Sequence, residues 1–335
     1  MINLIFTGDW HIRGTNPRNR LGDYRADTKD KLREVFKLAT KWDAKGIIVP
    51  GDIFDRPEVS IAVLLEFAEV LNESPVPILT TPGNHDIYGY NLATYWRSSL
   101  RLLEMLVPKL TVFTDTNVRH HFKAGATEVA ISFTPYSAKM DINGYGYDPY
   151  VDVEPLLLEG INKMEYKIHV AHGMLLDHMP PFDRYTDIQS VYTNADLVLT
   201  GHDHIGYGIY KRPDGKIFCN PGSLTRLAAS TGEIKRTIRV ALIKVAGLES
   251  TTEFINLEVA KPGDEVLDRS KLELNNQRIY AMETFSTLIQ AKTGERILLD
   301  VNQIIEEIAK LEGSAPHIVK AALEIIDQQR EKVKL

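Results

Sequence analysis

The sequence predicts an α/β protein, a β core with helices outside it. Short apolar runs alternate with longer helical patterns through roughly the first two-thirds of the 335 residues. Small polar motifs built from Gly, Asp, Asn and His follow those apolar runs directly. The composition is that of a packed globular chain, 44% hydrophobic and 25% charged, which excludes disordered, collagen-like and coiled-coil classes.

The predicted strands are Asn3–Phe6, Ile47–Val49, Val76–Leu79, Lys167–Ala171 and Leu197–Leu199. Between the first two, residues 26–44 read as a helix with Leu32, Val35, Phe36 and Ala39 on one face. Pro57 is placed to open a second helix. Residues 59–71 carry only Ser60, Glu66 and Glu69 as polar breaks, a stripe so narrow that it implies core burial or a subunit contact. Strand patterns return from about Ile217, with Thr237–Val245 and Glu253–Val259 as candidates. Beyond Lys261-Pro262-Gly263 the chain turns helix-forming, with Gly313 and Pro316 separating two helical patterns. The organisation read from this is a domain over 1–245, a short capping or linker segment over 246–275, and a helical segment over 276–335.

Length corresponds to about two domains. The single Cys219 excludes an intramolecular disulfide and fits a reducing compartment. No apolar run reaches the ~18 residues needed to span a bilayer, and the start lacks the basic and small-residue features of a signal peptide. The expectation is a soluble cytoplasmic protein with no membrane partner.

Five motifs carry the chemistry: Gly8-Asp9-Trp10-His11, Gly51-Asp52, Gly83-Asn84-His85-Asp86, His172-Gly173 and Gly201-His202-Asp203-His204. Loops at the carboxyl ends of parallel strands converge on one crevice, so these groups can meet in space. Asp, Asn and His bind divalent cations through oxygen and imidazole nitrogen. One Asp-x-His is a weak signal; five such motifs in this order are a strong one.

Together they resemble the calcineurin-like metallophosphoesterase signature, over roughly residues 1–225. Within it, Gly51-Asp-Ile-Phe-Asp-Arg-Pro57, Thr81-Pro-Gly-Asn-His-Asp86 and Asn220-Pro-Gly-Ser223 are similar to the SbcD-type DNA-repair nucleases. Asp86 and Pro57 stand where protein phosphatases of the superfamily usually carry Glu and Gly. The resemblance implies a metallophosphoesterase β-sandwich core flanked by helices. It implies that Asp9, His11 and His204 hold one metal, that Asn84, His172 and His202 hold a second, and that Asp52 bridges both. Mixed carboxylate and imidazole donors suit two Mn²⁺ ions, with Fe, Zn or Mg as alternatives. His85 is assigned to catalysis without ligation, and Asp86 to orienting it. The implied activity is 3′→5′ exonuclease action on duplex ends and endonuclease cutting of single strands, in DNA repair and recombination near the nucleoid. A phosphodiesterase acting on a small substrate such as a cyclic nucleotide is the alternative. The implied partners are DNA, a second copy of the chain and an SbcC-like coiled-coil ABC ATPase docked on the C-terminal helices.

Net charge is −6, from 39 basic and 45 acidic residues, so any DNA contact must come from local clusters. Arg13, Arg18, Arg20 and Arg25, against the single Asp23, form such a cluster beside the first motif and are candidate phosphate contacts. Tyr145, Tyr147 and Tyr150 read as a loop packed on the body. Tyr88, Tyr90, Tyr95 and Trp96 read as packing a helix or subunit contact rather than a base. The helices over 59–71 and 92–106 are the candidate dimer contact.

Overall fold

The computed structural model describes residues 1–142, 165–270, 309 and 316–321. In chain order its strands are β1 (Ile2–Phe6), β2 (Ala44–Val49), β3 (Ile78–Thr80), β4 (Leu110–Val112), β5 (Arg119–Ala124), β6 (Thr127–Thr134) and β7 (Glu165–Ala171). They continue with β8 (Leu175–Leu176), β9 (Thr186–Asp187), β10 (Leu197–Thr200), β11 (Gly208–Lys211), β12 (Ile217–Asn220), β13 (Arg239–Ala246) and β14 (Glu249–Asn256). The helices are α1 (Tyr24–Lys41), α2 (Ile61–Asn72), α3 (Ser99–Leu106), α4 (Thr231–Lys235) and α5 (Gly263–Val266).

Two six-stranded sheets face each other, ordered β14-β13-β1-β2-β3-β4 and β11-β12-β10-β7-β6-β5. Each has a parallel centre and an antiparallel side: β1 to β4 run parallel with β13 antiparallel to β1, while β6, β7, β10 and β12 run parallel between antiparallel β5 and β11. Strands buried on both faces read as continuous apolar runs, and β1 shows why. Ile2, Leu4 and Phe6 enter the core between the sheets with Val129, Ile131, Phe133, Ile168 and Leu199. Ile5 points the other way, into the core shared with α1 and α2. A mixed α/β sandwich flanked by helices is therefore the observed fold.

Local chemistry sets the boundaries. Asp23 caps α1 by accepting from the backbone N–H of Arg25 (2.9 Å) and Ala26 (3.1 Å). Asp43, with φ 46°, turns the chain out of that helix. Pro57 does not open α2. The chain stays extended to Ser60, whose hydroxyl caps Val63 N–H at 3.4 Å, and the Pro57 carbonyl instead accepts from Ser99 N–H at 2.7 Å.

The chain divides into two compact units, Met1–Arg269 and Ser270–Leu335. Residues 249–256, read from sequence as the start of a capping or linker segment, form the edge strand β14 paired along its length with β13. In the second unit, residues 316–321 are helical; the rest of the expected helical segment lies outside the described residues, as do Tyr145, Tyr147 and Tyr150. Among the described residues no helix is long and apolar enough to cross a membrane.

Candidate metal centre

The parallel strands deliver the five motifs to one rim. Asp9 and His11 follow β1, Asp52 follows β2, Asn84 to Asp86 follow β3, His172 follows β7, and His202 and His204 follow β10. All seven expected ligands meet there. His11 Nε2 lies 3.8 Å from both Asp9 Oδ2 and Asp52 Oδ2 and 2.9 Å from His204 Nε2. His172 Nε2 lies 3.2 Å from Asp52 Oδ2 and 3.0 Å from Asn84 Oδ1.

Among the described residues four groups could hold a cation; His11, Asp55 and His85 form one that overlaps the rim through His11, and two at the rim share a carboxylate. Of these two, one is Asp9, His11, Asp52 and His204; the other is Asp52, His172 and His202, and Asp52 belongs to both. Asn84, at its distance from His172, adds an oxygen to the second. A further group, His121, Glu128 and Glu165, sits at the opposite strand ends, where Lys123 pairs with Glu128 at 3.1 Å and Arg119 approaches Glu165 at 3.9 Å.

The two carboxylates are held alike. His202 N–H donates to Asp9 Oδ2 at 3.0 Å, and His85 N–H donates to Asp52 Oδ1 at 2.8 Å. Of the other oxygens, both buried, Asp9 Oδ1 has no hydrogen-bond partner and Asp52 Oδ2 has only the His172 imidazole, 3.2 Å away. A buried carboxylate oxygen left without a donor is costly, and a metal ion is what removes the cost.

The electrostatics agree. Burial pushes the Asp9 carboxyl up to about 7. Burial alone raises Asp52 too, but the His172 and His11 imidazoles hold it below the carboxylate range. Burial drives His202 down to about 3 and His204 down to about 4, leaving neutral imidazoles with lone pairs to offer. His172 runs the other way: burial lowers it, but Asp52 outweighs burial and lifts it to about 9. A proton there occupies the place that suits a cation. The residues therefore fit a dimetal group.

The backbone is strained where the donors sit. His11 (φ 47°), Asp52 (φ 49°) and His202 (φ 69°) all adopt left-handed conformations that side chains disfavour. Close approach also demands glycine: a Cβ on Gly83 would fall 2.1 Å from Asp52 Oδ1, and one on Gly201 2.3 Å from Asp9 Oδ1.

The sequence model of the calcineurin-like phosphoesterase family matches residues 2–206. The chain belongs to that family. Its solved neighbours are distant. They include a dimetal phosphatase from Danio rerio, at 13% identity over 75% of this chain and 98% of that one, with a TM-score of 0.46. A Thermus thermophilus protein is 15% identical over the same shares, with a TM-score of 0.43. GAP50, the anchor in the inner membrane complex of Plasmodium, is 12% identical over 76% of this chain and 84% of that one, with a TM-score of 0.42. No curated protein matches the chain. The calcineurin-like phosphoesterases are metal-dependent phosphoester hydrolases that use a dimetal centre, and the residues above are this chain's candidate ligands for one.

The remaining expectations fare differently in this phosphoesterase. His85 stands beside the centre, its ring 5.0 Å from that of His11, with Nδ1 2.9 Å from the Asp55 carbonyl. Asp86 does not orient the His85 ring. Its carboxylate accepts from the N–H groups of Gly83 (2.9 Å), Phe54 (3.0 Å) and Ile53 (3.3 Å), tying the Asp52 loop to the Asn84 loop. Asp55 takes the orienting place, and its carboxylate also pairs with Arg13 at 3.0 Å. Arg18 is exposed and Arg25 is partly so, paired with Glu66 at 3.3 Å. Arg20 is not available to a phosphate. It is buried, joined to Asp27 at 2.6 Å, with Lys31 on the same carboxylate at 2.8 Å.

Tyr136 belongs to none of the five motifs. Its ring lies 5.6 Å from His202 and 6.1 Å from His172, and its hydroxyl accepts from Arg184 at 2.9 Å. The sequence signal for it is indirect: β6 is parallel to β7, so the Thr134-Pro135-Tyr136 turn after it reaches the same rim. Tyr90 touches this group as well, its ring against that of Tyr136 rather than on a helix.

Proposed function

We propose that this phosphoesterase is a Mn²⁺-dependent DNA nuclease, degrading duplex ends 3′→5′ and cutting single strands by two-metal phosphodiester hydrolysis. The observation that carries the reading is the pair of donor groups joined through Asp52. Asp9, His11 and His204 would hold one ion, Asn84, His172 and His202 the other, and Asp52 both. Two ions held there would supply a water nucleophile at neutral pH and neutralise charge on the phosphate. Mixed carboxylate, carboxamide and imidazole donors favour Mn²⁺, with Fe, Zn or Mg as alternatives.

The chain's own groups do the rest. The His85 N–H and His202 N–H hydrogen bonds fix the two carboxylates before substrate arrives. With Nδ1–H donating to the Asp55 carbonyl, His85 keeps Nε2 for a substrate oxygen. Against burial, the Asp52 carboxylate raises its affinity for a second proton, and that imidazolium would donate from Nε2 to the phosphoryl group or to the departing 3′ oxygen. Asp86 holds the two ligand loops in register. Arg13, set on Asp55, brings a cation to the edge of the centre, exposed Arg18 adds positive charge on the loop before α1, and Arg25, shared with Glu66, stands in the first turn of α1. That charge supports a polyanionic substrate over a small one.

A homodimer through α2 and α3 is supported by Ile61, Leu65, Leu102 and Met105, exposed on neighbouring helices. Docking of residues 276–335 on an SbcC-like ATPase rests on the family resemblance. End-labelled duplex DNA incubated with and without Mn²⁺, using wild type and Asp52→Asn, tests the reading. Shortening from 3′ ends by wild type with Mn²⁺, lost in the variant, is expected. Hydrolysis of cyclic AMP or a phosphomonoester with intact DNA would make the protein a small-substrate phosphoesterase instead.

A further inference from the structure

Tyr90 is held in a way that packing does not explain. It is 52% exposed, yet its backbone sits at φ 59°, a conformation that is an outlier for a bulky side chain. The neighbouring turn enforces it. Tyr88 N–H donates to the Thr94 hydroxyl at 2.9 Å, Asn91 N–H to the Tyr88 carbonyl at 3.1 Å, and Ala93 N–H to the Asn91 side chain at 3.0 Å. Strain that surrounding bonds maintain is characteristic of positions that place a functional group.

What the strain places is a ring against a ring. Tyr90 lies 5.6 Å from Tyr136, tilted 59°, and Tyr136 lies 5.6 Å from the candidate ligand His202. Tyr136 is 5% exposed, and its N–H is tied to the Pro82 carbonyl at 2.9 Å, so the inner ring is fixed to the ligand loop. Arg184 closes the other side, donating to the Tyr136 hydroxyl and, at 3.0 Å each, to the Ala138 and Met140 carbonyls. The outcome is an aromatic shelf running outward from the metal centre, rigid at its inner end and open at Tyr90.

We infer that Tyr90, backed by Tyr136, is a stacking platform for the base of the nucleotide whose phosphate lies at the metal centre, making nucleotides the preferred substrate class. Two ring-to-ring steps separate Tyr90 from His202, a span suited to the sugar and base attached to a phosphate held by the ligands. An exposed tyrosine face accepts any base, so the shelf selects for a base without selecting which one. The inference rests on the phosphodiesterase reading for the phosphate end of the ligand, while its base end is tested separately.

The test is calorimetric binding of thymidine 5′-monophosphate and of 2-deoxyribose 5-phosphate to the Mn²⁺-loaded protein, which needs no turnover. Wild type is expected to bind the nucleotide about 5- to 150-fold more tightly, the worth of stacking one base. Tyr90→Gly should bring the ratio near one, and glycine suits the left-handed backbone, so the variant is expected to fold. Tyr90→Phe should keep the ratio. Equal affinity for the two ligands in wild type, or an unchanged ratio in Tyr90→Gly, overturns the inference. A high ratio in a protein that leaves DNA intact would refute the nuclease and keep the nucleotide platform.

Discussion

Gly83→Ala is the sharpest test of how the two loops make one centre. An alanine Cβ would stand 2.1 Å from Asp52 Oδ1 and 2.4 Å from the Asp52 backbone nitrogen. Non-bonded carbon and oxygen need at least about 3 Å, so the Asp52 carboxylate must retreat by ~1 Å. The backbone nitrogen cannot swing aside as a side chain can, so the Asp52 loop has to move with it. That movement breaks the 2.8 Å bond from His85 N–H and displaces the oxygen shared by both ligand groups. A misplacement of this size costs about 100-fold in rate, and overpacking costs about 1–3 kcal/mol in stability. The assay is steady-state hydrolysis of bis(p-nitrophenyl) phosphate with added Mn²⁺, paired with urea unfolding. Gly125→Ala is the control. Its backbone is left-handed, φ 60°, as that of Gly83 is not, but its Cβ would meet nothing within 4 Å, so it should lose about 1 kcal/mol and no turnover. Gly83→Ala with turnover within twofold of wild type would refute the reasoning.

Other expectations follow from the same geometry. His85→Ala should bind both ions yet lose about 100-fold or more in phosphodiester turnover, since it removes a proton donor and no ligand; metal content measured beside rate checks it. Arg18→Ala with Arg25→Ala should flatten the salt dependence of duplex binding by about 0.9 for each phosphate no longer neutralised, whereas Arg20→Ala should leave that slope alone and cost about 1.5–3 kcal/mol by breaking its bond to Asp27. Leu65→Glu with Met105→Glu should convert a dimer to monomer in sedimentation without altering the metal content. Lys31 gives a pH signature. Burial lowers its amine from 10.5 to about 8, against the pull of Asp27. Between those values the unfolded chain binds more protons than the folded one, so this contribution to stability rises with pH from about 8 to 10.5, by at most about 3 kcal/mol. Urea unfolding of wild type and Lys31→Met at pH 7.5 and 10 should show that rise only in wild type; parallel changes would contradict it.

Much of the centre was legible because its chemistry is local. Each donor lies within a few residues of a strand end, and a parallel sheet gathers strand ends without help from distant sequence. The helix α1 was legible for a similar reason, its apolar face repeating at 3.6 residues. What escaped was set through space. Asp86 lies next to His85 in sequence, which invites a pairing, yet three backbone donors from the two ligand loops claim its carboxylate. Arg20 reads like its exposed neighbours, but the turn before α1 buries it on Asp27. Strand β5, Arg-His-His-Phe-Lys-Ala, is a sheet edge and carries too much charge to read as a strand. Tyr136 and Tyr90 lie 46 positions apart, and their rings meet where the turn after β6 joins the loop after β3, Tyr136 N–H donating to the Pro82 carbonyl.

The central claim is that Asp52 unites two cation sites, and the most direct measurement is metal stoichiometry by equilibrium dialysis against Mn²⁺ with elemental analysis of the retained protein. Two ions per chain are predicted for wild type. Asp52→Asn should weaken both, while Asp9→Asn should weaken chiefly one. A single ion, or two that Asp52→Asn leaves undisturbed, would contradict the account.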